Sequence, residues 1–192
     1  MVLIAIISLS LGIICGQWLF NDQWITFLTG RSSYVLYILL ISVGISVGLN
    51  KQVFEKIKEY HFKILFIPMG TVLGSLLGGL VTSLFVPITL QNSMAIASGL
   101  GWYSLSGVMI TEIAGIQLGT MAFMSNLMRE IIAFIAIPYV ARTFNKYTAI
   151  APAGATSEDT SLPMLIKYTN EEVAIMAIFH GVLCSMMVPV LI

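Results

Sequence analysis

Five apolar runs dominate this sequence, at positions 2–20, 34–49, 64–85, 119–141 and 173–192. A helix needs about 20 mostly apolar residues to cross a bilayer, so each run approaches or reaches the length of one span. Of the 192 residues 58% are apolar and only 9% are charged, where an average soluble domain carries about 25% charged residues. The chain therefore reads as an all-α polytopic membrane protein, a single transmembrane domain with no room for a separate soluble one. Nine Lys and Arg balance nine Asp and Glu, so no net charge draws it toward nucleic acid. Composition excludes a cytosolic enzyme, a disulfide scaffold and a DNA-binding module.

Cys15 and Cys184 both lie in hydrophobic runs, far apart and without a His or Cys cluster. They are expected to pack as small apolar residues, with no metal or cofactor implied. The opening run has no basic n-region and no small-x-small cleavage site, so it is expected to be the first spanning helix.

Two further hydrophobic stretches, 88–113 and 147–166, are interrupted. The first contains Gly99, Gly101, Ser104, Ser106 and Gly107; the second contains Pro152, Gly154, Thr156, Ser157, Ser161 and Pro163. An uninterrupted spanning helix does not tolerate that density of Gly, Ser and Pro. Unwound backbone survives at membrane depth only where protein buries it or where it lines a wet cavity. Both stretches are therefore expected to be broken or re-entrant and to meet inside the protein.

Basic residues set the orientation. Lys51, Lys56, Lys58 and Lys63 mark a cytoplasmic, amphipathic connector, and Arg142 and Lys146 mark a cytoplasmic end for the run 119–141. These assignments agree if 88–113 enters and leaves on the outer side while 147–166 dips in from the cytoplasm. The result is about five crossings plus two segments entering from opposite faces, with a cytoplasmic N-terminus and an outward C-terminus. Seven full crossings is the alternative, and it places Arg142 and Lys146 outside. Opposed broken segments are the arrangement by which secondary transporters build a midplane site.

Arg129 and Glu130 are the most informative polar residues, because they fall near the middle of an apolar run. A charge there costs about 2.5–3.5 kcal/mol on insertion scales, so it has to face a cavity or a partner. Neighbours in sequence point about 100° apart on a helix, so Arg129 does not simply neutralise Glu130, whereas Asn126 shares the Glu130 face. Glu130 reads as a carboxylate for substrate or proton; the competing reading is an ion pair between helices. Glu112, just after the first interruption, is expected in a vestibule or as a cap. Asp159 and Glu158 lie among Thr156, Ser157, Thr160 and Ser161, a set suited either to a cation or to helix capping. Trp102 and Tyr103 could stack on a cationic head group or mark the interface. His180 could relay a proton or be bonded in the bundle. Gly74, Gly78 and Gly79 read as a close helix-packing face. No metalloprotease, serine-hydrolase or P-loop motif occurs, and nothing argues for an enzyme.

Taken in order, several motifs resemble the LysO lysine exporter family. They are residues 94–107 around Gly99-Leu100-Gly101-Trp102-Tyr103-Ser104-Leu105-Ser106-Gly107, then Thr111-Glu112, Arg129-Glu130-Ile131, the Gly-Ala-Thr-Ser-x-Asp-x-x-Leu-Pro pattern at 154–163, and His180-Gly181. The resemblance implies export of L-lysine across the plasma membrane, and it places the family's essential intramembrane carboxylate on Glu130. An alternating-access, proton-coupled antiporter is the expected mechanism. Arg129, Asn126, Asp159, Glu112 and His180 would be auxiliary groups. The unwound backbones near Trp102, Tyr103, Ser104 and Ser106 and near Thr156 and Ser157 would take the substrate's carboxylate and amine.

Fused family members carry further N-terminal helices with another functional acidic residue, and this chain matches their C-terminal portion. A small hydrophobic partner subunit supplying those helices, or a homo-oligomer, is therefore expected beside the lipid bilayer and lysine. The family often has Asn-Asp where this chain has Ser125-Asn126, which bears on affinity and coupling. Two rivals remain: a non-transporting membrane subunit that scaffolds a partner, and a transporter of another cation.

Overall fold

The computed structural model describes residues 7, 10–29, 31, 34, 37, 38, 41, 45 and 65–192, and among them there are helices and turns but no strand. The Lys-rich connector 51–63 and most of the run 34–49 lie outside the described residues. The chain divides into two compact units, Met1–Val43 and Gly44–Ile192.

In the first unit, helix α1 (Ser10–Leu19) closes in a π turn at Cys15–Leu19. It stops where Phe20 turns extended and donates its N–H to the Cys15 carbonyl at 2.8 Å. Helix α2 (Asp22–Thr29) follows. Arg31 folds back over its end, donating to the Phe27 carbonyl at 3.2 Å with its guanidinium 3.7 Å from the Phe27 ring centroid. A cation there satisfies a terminal carbonyl and opposes the helix dipole.

The described helices of the second unit include α3 (Phe66–Phe85), followed by α4 (Leu90–Ala97), α5 (Tyr103–Ala114) and α6 (Ile116–Thr143). Two 3-10 turns, Thr148–Ile150 and Gly154–Glu158, lead into α7 (Leu162–Tyr168) and α8 (Glu171–Leu191). Among the described residues α3, α6 and α8 are long and apolar enough to cross a membrane. At about 1.5 Å per residue, α4 and α5 reach only about 12 and 18 Å, short of the 30 Å hydrocarbon core. The first interrupted stretch is therefore a pair of short helices, and the second is turns and one short helix.

Local chemistry sets these breaks. The Thr89 hydroxyl caps α4, accepting from Asn92 N–H at 3.3 Å. The α4–α5 turn carries Leu100 and Gly101 at φ 48° and 94°, a region that stops a right-handed helix. Asn170 caps α8, accepting from Val173 N–H at 3.0 Å.

Helix α6 shows how composition is divided between lipid and protein. Gly119, Ala122, Asn126, Glu130, Ala133 and Ile137 recur at helical spacing and are buried. Met121, Met124, Met128, Ile132, Ile135 and Tyr139 are exposed on the other side. In a membrane, that exposed apolar stripe is the lipid face. Two apolar cores then sit at opposite ends of the bundle. One joins Ile96 and Ile88 to Ile110, Leu118, Ala122 and Ile192, so both arms of the first interrupted stretch share an end with the start of α6 and the end of α8. The other joins Ala149, Ile150, Ala153 and Leu165 to Ala133, Ile137 and Val173, so the second stretch shares an end with the close of α6 and the start of α8.

Candidate functional site

The polar residues converge at the middles of the three long helices: Ser75 on α3, Arg129 and Glu130 on α6, and His180 on α8. Here too the two interrupted stretches touch, where Ala155 N–H donates to the Leu100 carbonyl at 2.9 Å. The approach is close because Gly154 has φ +61° and no side chain; a Cβ there would stand 2.2 Å from that carbonyl oxygen. Gly181 plays the same part on α8, where a Cβ would come within 2.6 Å of Glu158 N.

Asn126 holds the first turn. Its Oδ1 accepts from Gly101 N–H at 2.8 Å. Its Nδ2 lies 3.0 Å from the Ile96 carbonyl, 2.9 Å from the Ala122 carbonyl and 3.3 Å from Ser106 Oγ. One buried amide thus satisfies the end of α4, the turn and the start of α5. Gly99 leaves it space, since a Cβ there would stand 2.3 Å from Nδ2. Asn126→Ala is expected to leave the Gly101 N–H and the Ile96 carbonyl without this partner at a cost of about 1–3 kcal/mol each. A lowered thermal unfolding midpoint of the purified protein would register it.

Glu130 is fully buried, at 0% exposure, and neither carboxylate oxygen has a hydrogen-bond partner. The Thr160 hydroxyl, also buried, lies close enough to stabilise the Glu130 carboxylate, although outside full hydrogen-bond geometry. Asp159 lies within electrostatic range of Glu130, and Tyr103 within range of both. Arg129 points elsewhere, as the 100° offset requires, and donates from Nη1 to Ser75 Oγ at 2.7 Å.

His180 is buried between α3 and the second stretch. Its Nδ1 is 2.9 Å from Ser157 Oγ and its Nε2 is 3.0 Å from Thr71 Oγ1. Ser157 Oγ also lies 2.8 Å from the carbonyls of Gly154 and Ala177. With its single hydrogen on a carbonyl, a neutral His180 donates from Nδ1 and accepts at Nε2 from Thr71. His180 thereby ties three elements together, and Cys184 packs 3.7 Å from it.

The remaining sequence candidates separate. Trp102, Thr156, Glu158, Asp159 and Ser185 line a small cavity of about 110 Å³. Ser185 donates to Glu158 Oε1 at 2.8 Å, and Thr156 Oγ1 is 2.8 Å from Ser161 Oγ. Tyr103 packs edge-on to Phe123 with centroids 5.3 Å apart. Ser106 is buried and donates to the Trp102 carbonyl at 2.8 Å, whereas Ser104 is exposed. Glu112 is exposed near the end of α5. There Thr111 sits against Gly119, and Glu130 is about 16 Å further along α6.

Two larger cavities flank the Arg129–Ser75 contact. One, about 570 Å³, is lined by Gly70, Thr71, Gly74, Val140 and Phe144 as well as Ser75 and Arg129. The other, about 230 Å³, is lined by Gly78, Thr82, Ile88, Ser125 and Asn126 together with the same pair. They extend toward opposite ends of α3 and α6. The expected glycine packing face therefore divides. Gly79 packs on α4, where Ser93 Oγ donates to its carbonyl at 2.6 Å. A Cβ added at Gly74 or Gly78 would meet nothing within 4 Å, and both residues border cavities instead.

Thr71, Ser75 and Ser185 were not legible as site residues. Thr71, Ser75 and Thr82 recur near four- and seven-residue spacing on one face of α3, a hydroxyl stripe that could have pointed there.

Interrupted stretches that meet among polar groups at mid-helix, in an all-helical chain with three helices long and apolar enough to cross a membrane among the described residues, are an arrangement found in secondary transporters. The chain belongs to the lysine exporter LysO family, whose profile it matches over residues 6–192. It is 37% identical over 164 residues to the lysine exporter LysO of Escherichia coli, covering 85% of this chain and 54% of that protein. It is 35% identical over 187 residues to a Haemophilus influenzae protein named as a candidate lysine exporter, covering 96% of this chain and 93% of that protein. The chain thus spans about half the length of the first relative and nearly all of the second. No solved structure matches it significantly.

Proposed function

We propose that this chain exports L-lysine across the plasma membrane by alternating access, with Glu130 exchanging a proton for the substrate's ammonium group. The observation that carries the reading is the Glu130 carboxylate, buried midway along α6 with no paired cation among the described residues and only the Thr160 hydroxyl close by. An acid taken out of water gains from any cation that reaches it, whether a proton or an ammonium group. Family membership and the names of the relatives support lysine as cargo. The two cavities extending toward opposite ends of α3 and α6 support access from either side. The two end cores support a topology in which 88–113 re-enters from outside and 147–166 from the cytoplasm. Arg142, Lys146 and Lys167 then face inward. Asp159 and Tyr103 lie within electrostatic range of Glu130, and Asn126 and His180 position the broken segments.

The test is efflux of preloaded lysine from cells lacking their own exporter. Cells expressing this chain should release lysine, and Glu130→Gln should reduce release to background with unchanged protein in the membrane. Full efflux from the variant would overturn the role of Glu130. No efflux from membrane-inserted wild-type chain, restored by a second hydrophobic chain, would establish a two-subunit exporter.

A further inference from the structure

We propose that Arg129 is the binding group for the substrate's carboxylate, at a point reached from both cavities that flank its contact with Ser75. This assignment rests on the reading of the chain as an amino-acid transporter and specifies which end of the molecule Arg129 holds. The unwound backbone is the obvious alternative, but its amides are largely occupied. Gly101 N–H donates to Asn126, Trp102 N–H to the Gly99 carbonyl at 2.7 Å, and Ala155 N–H to Leu100. Thr156 and Asp159 N–H donate to the carbonyls of Ala153 and Thr156 at 3.3 and 3.2 Å.

Arg129 is the opposite case. A guanidinium has five N–H donors in a planar fork, and among the described residues one bond, to Ser75, is formed. Among the described residues no carboxylate accepts from it; Glu130, its neighbour in sequence, has both oxygens unpartnered. The crossing of the two stretches positions the side chain: a Cβ at Gly154 would be 3.2 Å from Nη2, and one at Gly101 would be 3.8 Å from Cδ. A half-buried cation midway along a spanning helix is costly unless something pairs with it. A carboxylate matches the fork in two parallel charge-assisted bonds. Because Arg129 and Ser75 line both the 570 Å³ and the 230 Å³ cavity, a carboxylate held there is within reach of either end of the protein.

The experiment is exchange of labelled L-lysine in proteoliposomes holding the full chain, with three competitors: unlabelled lysine, L-lysine amide, and 1,5-diaminopentane, which lacks the carboxylate. Wild-type protein should prefer lysine to both analogues by about tenfold to a hundredfold, the range for charge-assisted bonds. Arg129→Gln should lose that preference, so that lysine and the diamine compete equally, and Arg129→Lys should retain part of it. Undiminished preference in Arg129→Gln overturns the assignment. If that variant does not accumulate, wild-type protein decides: equal competition by lysine, its amide and the diamine overturns it as well. A wild-type chain that moves no lysine even with a second hydrophobic chain supplied overturns the export reading together with this one, whereas lysine exchange without discrimination overturns this one alone.

Discussion

Gly154→Ala is expected to abolish lysine efflux and to lower the thermal unfolding midpoint markedly. Two effects add. The residue has φ +61°, where an L side chain costs about 1–2 kcal/mol. The new methyl would also stand 2.2 Å from the Leu100 carbonyl oxygen and 3.2 Å from Arg129 Nη2. Neither neighbour yields easily. Leu100 is fully buried at φ 48°, and its carbonyl accepts the Ala155 N–H. Relief therefore requires the two interrupted stretches to part, leaving backbone groups unpaired at membrane depth. Gly12→Ala, in helical backbone with nothing within 4 Å, is the control and should be neutral or slightly stabilising. Wild-type efflux and stability in Gly154→Ala would show that the two stretches are not held together as described.

The second large effect divides activity from stability. Purified Glu130→Gln is expected to unfold at the same temperature as wild type or higher while efflux falls to background. The reason is the weakness of its partners: among the described residues no cation pairs with the carboxyl, only the Thr160 hydroxyl is close enough to bond it, and a Gln amide keeps an oxygen that can accept from that hydroxyl. A structural ion pair predicts the reverse, since breaking a buried pair typically costs about 3–5 kcal/mol. A Glu130→Gln protein that unfolds well below wild type would point to a structural acid.

Hydrophobic run length was enough to place α3, α6 and α8, because a bilayer imposes one length scale on every span. The Gly, Ser and Pro density was enough to mark where helices break, because those residues act through local backbone preferences. The partners of the breaks were not legible. That Asn126 would serve Gly101, Ile96 and Ser106 depends on α6 lying against both arms of the first stretch. Ser75 was legible only as one member of a hydroxyl stripe with Thr71 and Thr82 on α3, and its importance comes from Arg129 54 positions away. His180 was legible as an exception in an apolar helix, but its bonds to Thr71 and Ser157 arise from the packing of three elements.

The single bond from Ala155 N–H to the Leu100 carbonyl also bears on how the two faces communicate. It joins a stretch packed with one end of the bundle to a stretch packed with the other. Under the proposed alternating access, that bond would make the two stretches move as one strut, so that closing one face and opening the other would be a single mechanical event.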